Sequence, residues 1–257
     1  MTAQAPTLET RDLTIRFGGH VAVNAVSCAF RAGQLTAIVG PNGAGKTTYF
    51  NLMSGQLSAT AGQVLLDGRD IGHASAPTRA RAGIGRAFQL TNLFPNLTVL
   101  ENVRLAVQVQ AGIGLDLLSL WSANRRVLER AEECLGQVNL LERRNEIAAS
   151  LPHGGQRRLE VAILLALKPR VFMFDEPTAG MSLDEVPVIL DLIQDIKRQG
   201  DRIVLLVEHK MDVVRSLADR IVVLHNGYLV GDGDPAEVIA SPIVQEAYLG
   251  TGVASHV

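Results

Sequence analysis

The sequence predicts an α/β fold, because short apolar runs of strand length alternate with longer runs of helical periodicity. Three runs predict central strands: Leu35–Val39, Val171–Phe174 and Ile203–Val207 are almost wholly apolar, as expected of strands buried on both faces of a sheet. From about residue 91 to residue 150 the periodicity is helical instead. We therefore predict an α/β core that carries an inserted helical subdomain.

Both ends of the core carry hairpin signals. In the first thirty residues apolar and polar side chains alternate on either side of Gly18-Gly19, which predicts two antiparallel strands and hence an antiparallel β subdomain. Near the other end, Asn226-Gly227 lies between apolar residues, and this dipeptide is the strongest short hairpin signal.

The predicted layout is a single domain spanning residues 1–257. Residues 1–90 and 160–235 form the core with its β subdomain, residues 91–159 form the helical subdomain, and residues 236–257 form a C-terminal tail. The apolar stretch 111–123, which contains Trp121, is interpreted as an insertion packed on the helical lobe; a partner-binding segment is the alternative.

Composition excludes several classes of function. The formal net charge of −2 provides no global basic field, so we expect no nucleic-acid partner. No apolar run reaches the roughly 18 residues that a membrane span needs, and the first residues lack signal-peptide character. We expect a soluble chain that depends on another subunit for any work across a membrane. Cys28 and Cys134 lie in apolar patterns and are predicted to be core residues in a reducing cytoplasm.

The most specific motif follows the first buried strand and matches G-x-x-x-x-G-K-[ST]. Glycines allow backbone N–H groups to approach phosphate oxygens, and the following helix, predicted from Lys46 to Gly55, adds its positive N-terminal end. The lysine can reach the β- and γ-phosphates, and the threonine can ligate Mg²⁺. The alternative is a glycine-rich turn before a core helix. We predict a P-loop NTPase with a RecA-like core that binds ATP and Mg²⁺ through Gly40, Pro41, Asn42, Gly43, Ala44, Gly45, Lys46 and Thr47, with Thr48 as a further contact.

A pair of carboxylates ends the second central strand. Acids at the carboxyl end of such a strand lie where α/β sheets place their ligands. Asp175 is predicted to hold Mg²⁺, directly or through water, and Glu176 to act as the general base toward the attacking water. The alternative is a solvated pair at a strand end.

Taken in order, these motifs resemble those of ATP-binding-cassette nucleotide-binding domains over nearly the whole chain. The motifs are the loop 40–48, Gln89, the segment 151–158, Asp175-Glu176-Pro177-Thr178 and His209. The resemblance implies a two-lobed ATPase that dimerises head to tail, with each ATP held between one subunit's phosphate loop and the other subunit's signature motif.

Further roles are implied by the resemblance, residue by residue. Gln89 is similar to the glutamine that contacts Mg²⁺ or water and links the core to the helical lobe. His209 resembles the switch histidine that touches the γ-phosphate. Phe17 is placed like the aromatic side chain that stacks on adenine, with a core phenylalanine as the alternative.

The signature motif departs from the family's L-S-G-G-Q. In the preferred register it reads Leu151-Pro152-His153-Gly154-Gly155, so proline replaces the serine whose hydroxyl meets the partner's γ-phosphate. The other register reads His153-Gly154-Gly155-Gln156 and shifts the helix by one residue. Loss of one donor at a transition-state site costs about 3 kcal/mol, so the preferred register predicts slowed rather than abolished hydrolysis.

A finer resemblance connects the chain with the ATPase subunits of branched-chain amino-acid importers. It implies integral membrane permease subunits as partners, a second ATPase subunit in a homo- or heterodimer, an indirect solute-binding protein, and a peripheral position on the cytoplasmic face of the cell membrane. The alternatives are a lipopolysaccharide-type exporter ATPase, a soluble non-transport ATPase, and a nucleotide-binding regulator. The finer resemblance depends on residues 17–19, 97–103, 156–160 and 247–250 and on the insertion around Trp121.

Overall fold

The computed structural model describes residues 5–87, 93–112, 125–182 and 184–249. The chain forms two compact units. The first unit comprises Met1–Ile84, Arg170–Glu176 and Ile196–Val257, and the second comprises Gly85–Pro169 and Pro177–Asp195.

The strands and helices alternate along the chain, which confirms the predicted α/β class. The strands are β1 (Thr7–Phe17), β2 (His20–Arg31), β3 (Leu35–Val39), β4 (Ala61–Leu66), β5 (Arg69–Asp70), β6 (Ile84–Ala87), β7 (Val171–Asp175), β8 (Ile203–Val207), β9 (Arg220–His225) and β10 (Tyr228–Gly233). The helices are α1 (Lys46–Ser54), α2 (Ala76–Arg81), α3 (Val99–Gln110), α4 (Arg125–Gln137), α5 (His153–Leu167), α6 (Val186–Arg198), α7 (Met211–Leu217), α8 (Pro235–Ala240) and α9 (Pro242–Leu249), and Leu141–Arg143 and Ala148–Ser150 are short 3₁₀ turns.

The strands form two sheets. The smaller sheet has the order β2-β1-β4-β5 and is antiparallel throughout, as the alternating N-terminal pattern predicts. The larger sheet has the order β10-β9-β3-β8-β7-β6, and its central strands β9, β3, β8 and β7 are parallel. Every residue of β3, β7 and β8 is buried, which confirms that the three apolar runs are central strands.

One apolar core joins the two sheets around α1. Phe30 from the antiparallel sheet, Ile38 and Leu205 from the parallel sheet, and Tyr49 and Phe50 from α1 belong to the same buried cluster. The helix that follows the phosphate loop is therefore held by the core on its apolar side, and its N-terminal end is left to the site.

The second unit is built around α3, α4 and α5, which contact one another. Thr98 caps α3 by accepting from the Glu101 N–H, and the Glu101 carboxylate accepts from the Thr98 N–H in return. Cys134 on α4 is buried, as is Cys28 on β2, which confirms the prediction that both are core residues. Burial raises the pKa of Cys28 to about 11, so this thiol is inert at neutral pH.

The predicted hairpin near the C-terminal end is confirmed. Asn226 and Gly227 join β9 to β10 with φ values of 50° and 82°, the two positive values that a type I′ turn requires. Trp121 and most of its predicted insertion lie outside the described residues. Among the helices of the described ranges, none is long and apolar enough to cross a membrane.

Candidate nucleotide-binding site

The candidate site lies at the carboxyl ends of three neighbouring parallel strands. Gly40 follows β3, Glu176 follows β7, and His209 lies two residues beyond the end of β8, which is the strand between them. The carboxyl ends of parallel strands meet at one edge of the sheet, which is where open α/β sheets bind their ligands. The sheet order therefore brings together motifs that are separated by more than a hundred residues in the sequence.

The phosphate loop depends on glycine at two close backbone contacts. A Cβ atom on Gly40 would overlap the Leu224 carbonyl oxygen, and one on Gly45 would overlap the Ala22 carbonyl oxygen. Gly45 adopts a left-handed conformation at the N-cap of α1, so the first turn of the helix begins directly at Lys46. The unpaired N–H groups of that turn form an anion-binding end.

Lys46 folds back onto the loop that precedes it. Its ammonium donates to the Gly40 carbonyl oxygen at 2.7 Å and to the Pro41 carbonyl oxygen at 2.9 Å, and only 5% of the residue is exposed. Burial lowers its pKa, while the nearby carboxylates of Glu176 and Asp175 act in the opposite direction. The lysine therefore supplies a desolvated positive charge at the centre of the loop.

A cavity of about 410 Å³ opens over this loop. Half of the Phe17 surface is exposed at its rim, which excludes the alternative that Phe17 is a core residue. The lining is Phe17, His20, Ala22, Asn42, Gly43, Ala44, Gly45, Lys46, Thr47, Thr48, Glu176 and His209.

The two carboxylates at the carboxyl end of β7 have different environments. Asp175 is buried at the strand end, whereas the Glu176 side chain is 39% exposed and faces the cavity. Glu176 has φ of 52°, a left-handed value that is strained for a residue with a side chain, and its N–H donates to the Val207 carbonyl oxygen of β8 at 2.9 Å. Its Oε1 lies 2.6 Å from His209 Nε2. The structure therefore places the predicted base and the predicted switch histidine in direct contact.

The predicted signature residues lie in the second unit, at the start of α5. Pro152 is the N-cap residue and α5 begins at His153, so the proline precedes the first helical turn, as the preferred register requires. Pro152 and His153 are exposed, and Gly154 and Gly155 are buried. Gln89, predicted to contact Mg²⁺, lies outside the described residues.

Sequence reasoning missed Glu185, which joins the signature helix to the loop after the acidic pair. Its carboxylate accepts from Arg158 at 3.2 Å and from the Ser182 N–H and hydroxyl at 3.3 and 3.1 Å. The space where a Gly154 Cβ would lie is occupied by the same carboxylate. No local pattern identifies Glu185, because its contacts with Arg158 and Gly154 are made to a helix more than twenty residues upstream.

Sequence reasoning also missed Arg79 of α2, whose guanidinium is buried against the C-terminal end of α1. It donates to the carbonyl oxygens of Leu52, Met53, Gly72 and Ala74. In the sequence it is one of several arginines in a polar stretch, so nothing there distinguishes it from a surface residue.

The fold and the site define a nucleotide-binding α/β protein with a phosphate loop. The sequence pattern of the family described as "ABC transporter" matches residues 23–179, and that of "Branched-chain amino acid ATP-binding cassette transporter" matches residues 229–254. The chain belongs to the ABC transporter family, and it is an ATPase of that family. The predicted P-loop fold and the predicted family are thereby confirmed.

Curated relatives match over nearly their full length. The high-affinity branched-chain amino acid transport ATP-binding protein BraF of Pseudomonas aeruginosa is 39% identical, and LivG of Escherichia coli K12 is 37% identical; each alignment covers 95% of this chain and 98% of the relative. The lipopolysaccharide export system ATP-binding protein LptB of Acidithiobacillus ferridurans is 34% identical over 95% of this chain and 96% of its own.

Solved structures share the fold. The ADP conformation of MJ1267, an ATP-binding cassette of an ABC transporter, is 28% identical with a TM-score of 0.80, over 96% of this chain and 100% of that one. A dimeric post-hydrolysis state of the cassette MJ0796, bound to ADP and phosphate, is 26% identical with a TM-score of 0.76, over 89% of this chain and 98% of that one.

Proposed function

We propose that the chain is the ATP-hydrolysing subunit of an importer for branched-chain amino acids or other small amino acids and amides. The observation that carries this proposal is its 37–39% identity to BraF and LivG over 95% of the chain. The match of residues 229–254 to the branched-chain amino acid cassette pattern also supports it, and that segment lies outside the nucleotide motifs.

In this proposal the cavity of the first unit binds ATP. The backbone N–H groups of residues 40–48 hold the phosphates, and Lys46 exchanges its two carbonyl partners for β- and γ-phosphate oxygens. Phe17, exposed at the rim of the cavity, stacks on adenine.

We assign Mg²⁺ to Thr47 and Asp175, with Gln89 as a further contact. Magnesium is usually bound by one or two protein oxygens together with waters and substrate phosphates. That mode of binding fits Asp175, which is buried at the end of β7 and whose charge acts on Lys46 of the phosphate loop. When bound, the ion neutralises charge on the phosphate oxygens.

Hydrolysis follows from the position of Glu176. Its carboxylate accepts a proton from water, the water oxygen attacks the γ-phosphorus, and the bond between that phosphorus and the ADP oxygen breaks. His209, which is 2.6 Å from Glu176, orients this carboxylate and contacts the γ-phosphate when ATP is present.

We further propose that two ATPase subunits, identical or different, enclose two ATP molecules. Each ATP then meets the other subunit's signature residues, Pro152, His153, Gly154 and Gly155. In the proposed layout, residues 1–90 and 160–235 are the nucleotide-binding core, 91–159 the helical subdomain and 236–257 the tail.

The partners are two integral membrane permease subunits, with a solute-binding protein acting indirectly and no nucleic acid. Exposed apolar side chains on the second unit, namely Phe94, Val109 and Ile147, support docking of a membrane partner there. The chain then works at the cytoplasmic face of the cell membrane, as expected for the ATPase of an importer.

The ATPase assignment is tested with two variants of the purified chain. Glu176→Gln keeps the phosphate loop, so it should bind Mg-ATP normally, form a stable ATP-bound dimer and lose about 10²–10⁴-fold in turnover. Lys46→Ala should lose nucleotide affinity in a calorimetric titration. Unchanged turnover in Glu176→Gln would remove this residue from the role of base.

The transport assignment needs the assembled complex. Co-purified permeases reconstituted in proteoliposomes, with external solute-binding protein and internal ATP, should take up a branched-chain amino acid. Recovery with lipopolysaccharide-export components, or cosedimentation with ribosomes or DNA, would contradict the import function.

A further inference from the structure

The turn between β9 and β10 differs from an ordinary hairpin turn because its glycine is buried. Two-residue turns usually lie in solvent. Asn226 is exposed here, but Gly227 is covered. A Cβ atom on Gly227 would first meet the Ala22 carbonyl oxygen of β2, and Ala22 also lines the nucleotide cavity.

Both peptide groups of Gly227 are bonded to the surroundings of the phosphate loop. Its N–H donates to the Ala44 carbonyl oxygen at 3.0 Å, and its carbonyl oxygen accepts from the Asn24 N–H at 2.8 Å. The turn therefore connects the phosphate loop to β2 through main-chain atoms alone.

The first of these hydrogen bonds fixes the orientation of the peptide between Ala44 and Gly45. A trans peptide is planar, with its carbonyl and its N–H pointing in opposite directions. Because the Ala44 carbonyl points toward Gly227, the Gly45 N–H of the same peptide points away from the turn, and Gly45 itself lines the cavity. A flip of this peptide would turn a carbonyl oxygen toward a bound phosphate.

We propose that the Asn226-Gly227 turn is a positioning element of the nucleotide site, which holds the Ala44-Gly45 peptide in the orientation that binds phosphate. This inference rests on the proposed nucleotide site. It also accounts for glycine at position 227: a Cβ atom there would lie 2.9 Å from the Ala22 carbonyl oxygen and 3.1 Å from its carbon. A larger residue there would crowd the β2 backbone, so either the turn or β2 must shift, and the turn is the part that is bonded to the phosphate loop.

The chain contains a matched control. Asp67-Gly68 joins β4 to β5 in a turn with φ values of 51° and 75°, so it has the same pair of positive angles. A Cβ atom on Gly68 would meet nothing within 4 Å. Gly68→Ala therefore carries the backbone strain of Gly227→Ala without its contact with β2.

The test compares the two variants by calorimetric titration with Mg-ATP, with thermal unfolding measured in parallel. Gly227→Ala should bind at least about 10-fold more weakly than Gly68→Ala, since a tenfold change corresponds to one weakened hydrogen-bonded contact. Equal affinities of the two variants, with the wild type binding Mg-ATP, would overturn the positioning role alone. A wild type that binds no nucleotide would overturn the proposed function together with it.

A measurement on the wild type covers the case in which Gly227→Ala does not fold. If the turn selects the binding conformation of the loop, bound nucleotide must stabilise the turn by the same free energy. Hydrogen exchange should therefore slow at the Gly227 amide on addition of Mg-ADP and stay constant at Gly68. Unchanged exchange at Gly227 under saturating nucleotide would overturn the inference.

Discussion

Replacing Arg79 by methionine should destabilise the first unit, because it removes the group that satisfies the end of α1. The last carbonyl oxygens of a helix have no partner within the helix. In α1 two of them, those of Leu52 and Met53, accept from one Arg79 nitrogen at 2.6 and 2.9 Å. Arg79 is 2% exposed, so water does not share this role in the wild type.

The size of this destabilisation depends on which carbonyl oxygens can find another hydrogen-bond donor once Arg79 is removed. Gly72 and Ala74 are partly exposed, and water can replace the Arg79 donors there. Leu52 and Met53 are buried residues, and each carbonyl left without a donor costs about 1–3 kcal/mol. Methionine also avoids the cost of burying a cation. We therefore expect the free energy of unfolding to fall by about 2–4 kcal/mol, which corresponds to a decrease of about 5–15 °C in Tm for a chain of this size.

The assay is denaturant unfolding of the two matched variants Arg79→Met and Arg81→Met. Arg81 lies in the last turn of the same helix but is exposed, so its replacement should change the free energy of unfolding by less than about 0.5 kcal/mol. Arg79→Lys keeps the positive charge but has fewer hydrogen-bond donors, so its free energy of unfolding should lie between those of Arg79→Met and Arg81→Met. Equal unfolding midpoints for Arg79→Met and Arg81→Met would refute the reasoning.

Two further predictions concern the second unit. Pro152→Ser should raise steady-state phosphate release in the assembled transporter. The backbone at residue 152 already has an extended N-cap conformation that serine favours, and the serine hydroxyl restores the missing donor. A fall or no change in phosphate release would favour the other signature register. Burial raises the pKa of Glu160 to about 7, and Arg157 acts in the opposite direction. The pKa in the folded state therefore lies above that in the unfolded state. The stability that protonation of Glu160 contributes is lost as pH rises from about 4.5 through 7. Glu160→Gln should therefore gain stability relative to the wild type over that range, up to a limit of about 3 kcal/mol, and a pH-independent difference in unfolding free energy would contradict the shift.

Local sequence patterns were sufficient wherever structure is decided by neighbours in the chain. The apolar runs at β3, β7 and β8 predicted buried strands, and the glycine spacing predicted the loop before α1. Asn226-Gly227 predicted its turn, because few other dipeptides adopt two positive φ angles at low cost.

Contacts between distant segments could not be predicted in this way. The hairpin signal gave the turn but not the burial of Gly227 against Ala22, since that contact depends on how two sheets share a core. Arg79 and Glu185 look like ordinary surface charges in the sequence and become structural only through partners on other elements. The alternating pattern placed Phe17 on a strand, but its exposure at the cavity rim depends on the packing of that strand.

The left-handed backbone at Glu176 has a consequence for how this protein can change under selection for thermal tolerance. Residues with side chains adopt that conformation at a cost of about 1–3 kcal/mol, which glycine does not incur. Replacing Glu176 by glycine would therefore relieve the backbone strain but would also remove the carboxylate. As long as ATP turnover is under selection, increases in thermal stability must come from substitutions elsewhere in the molecule.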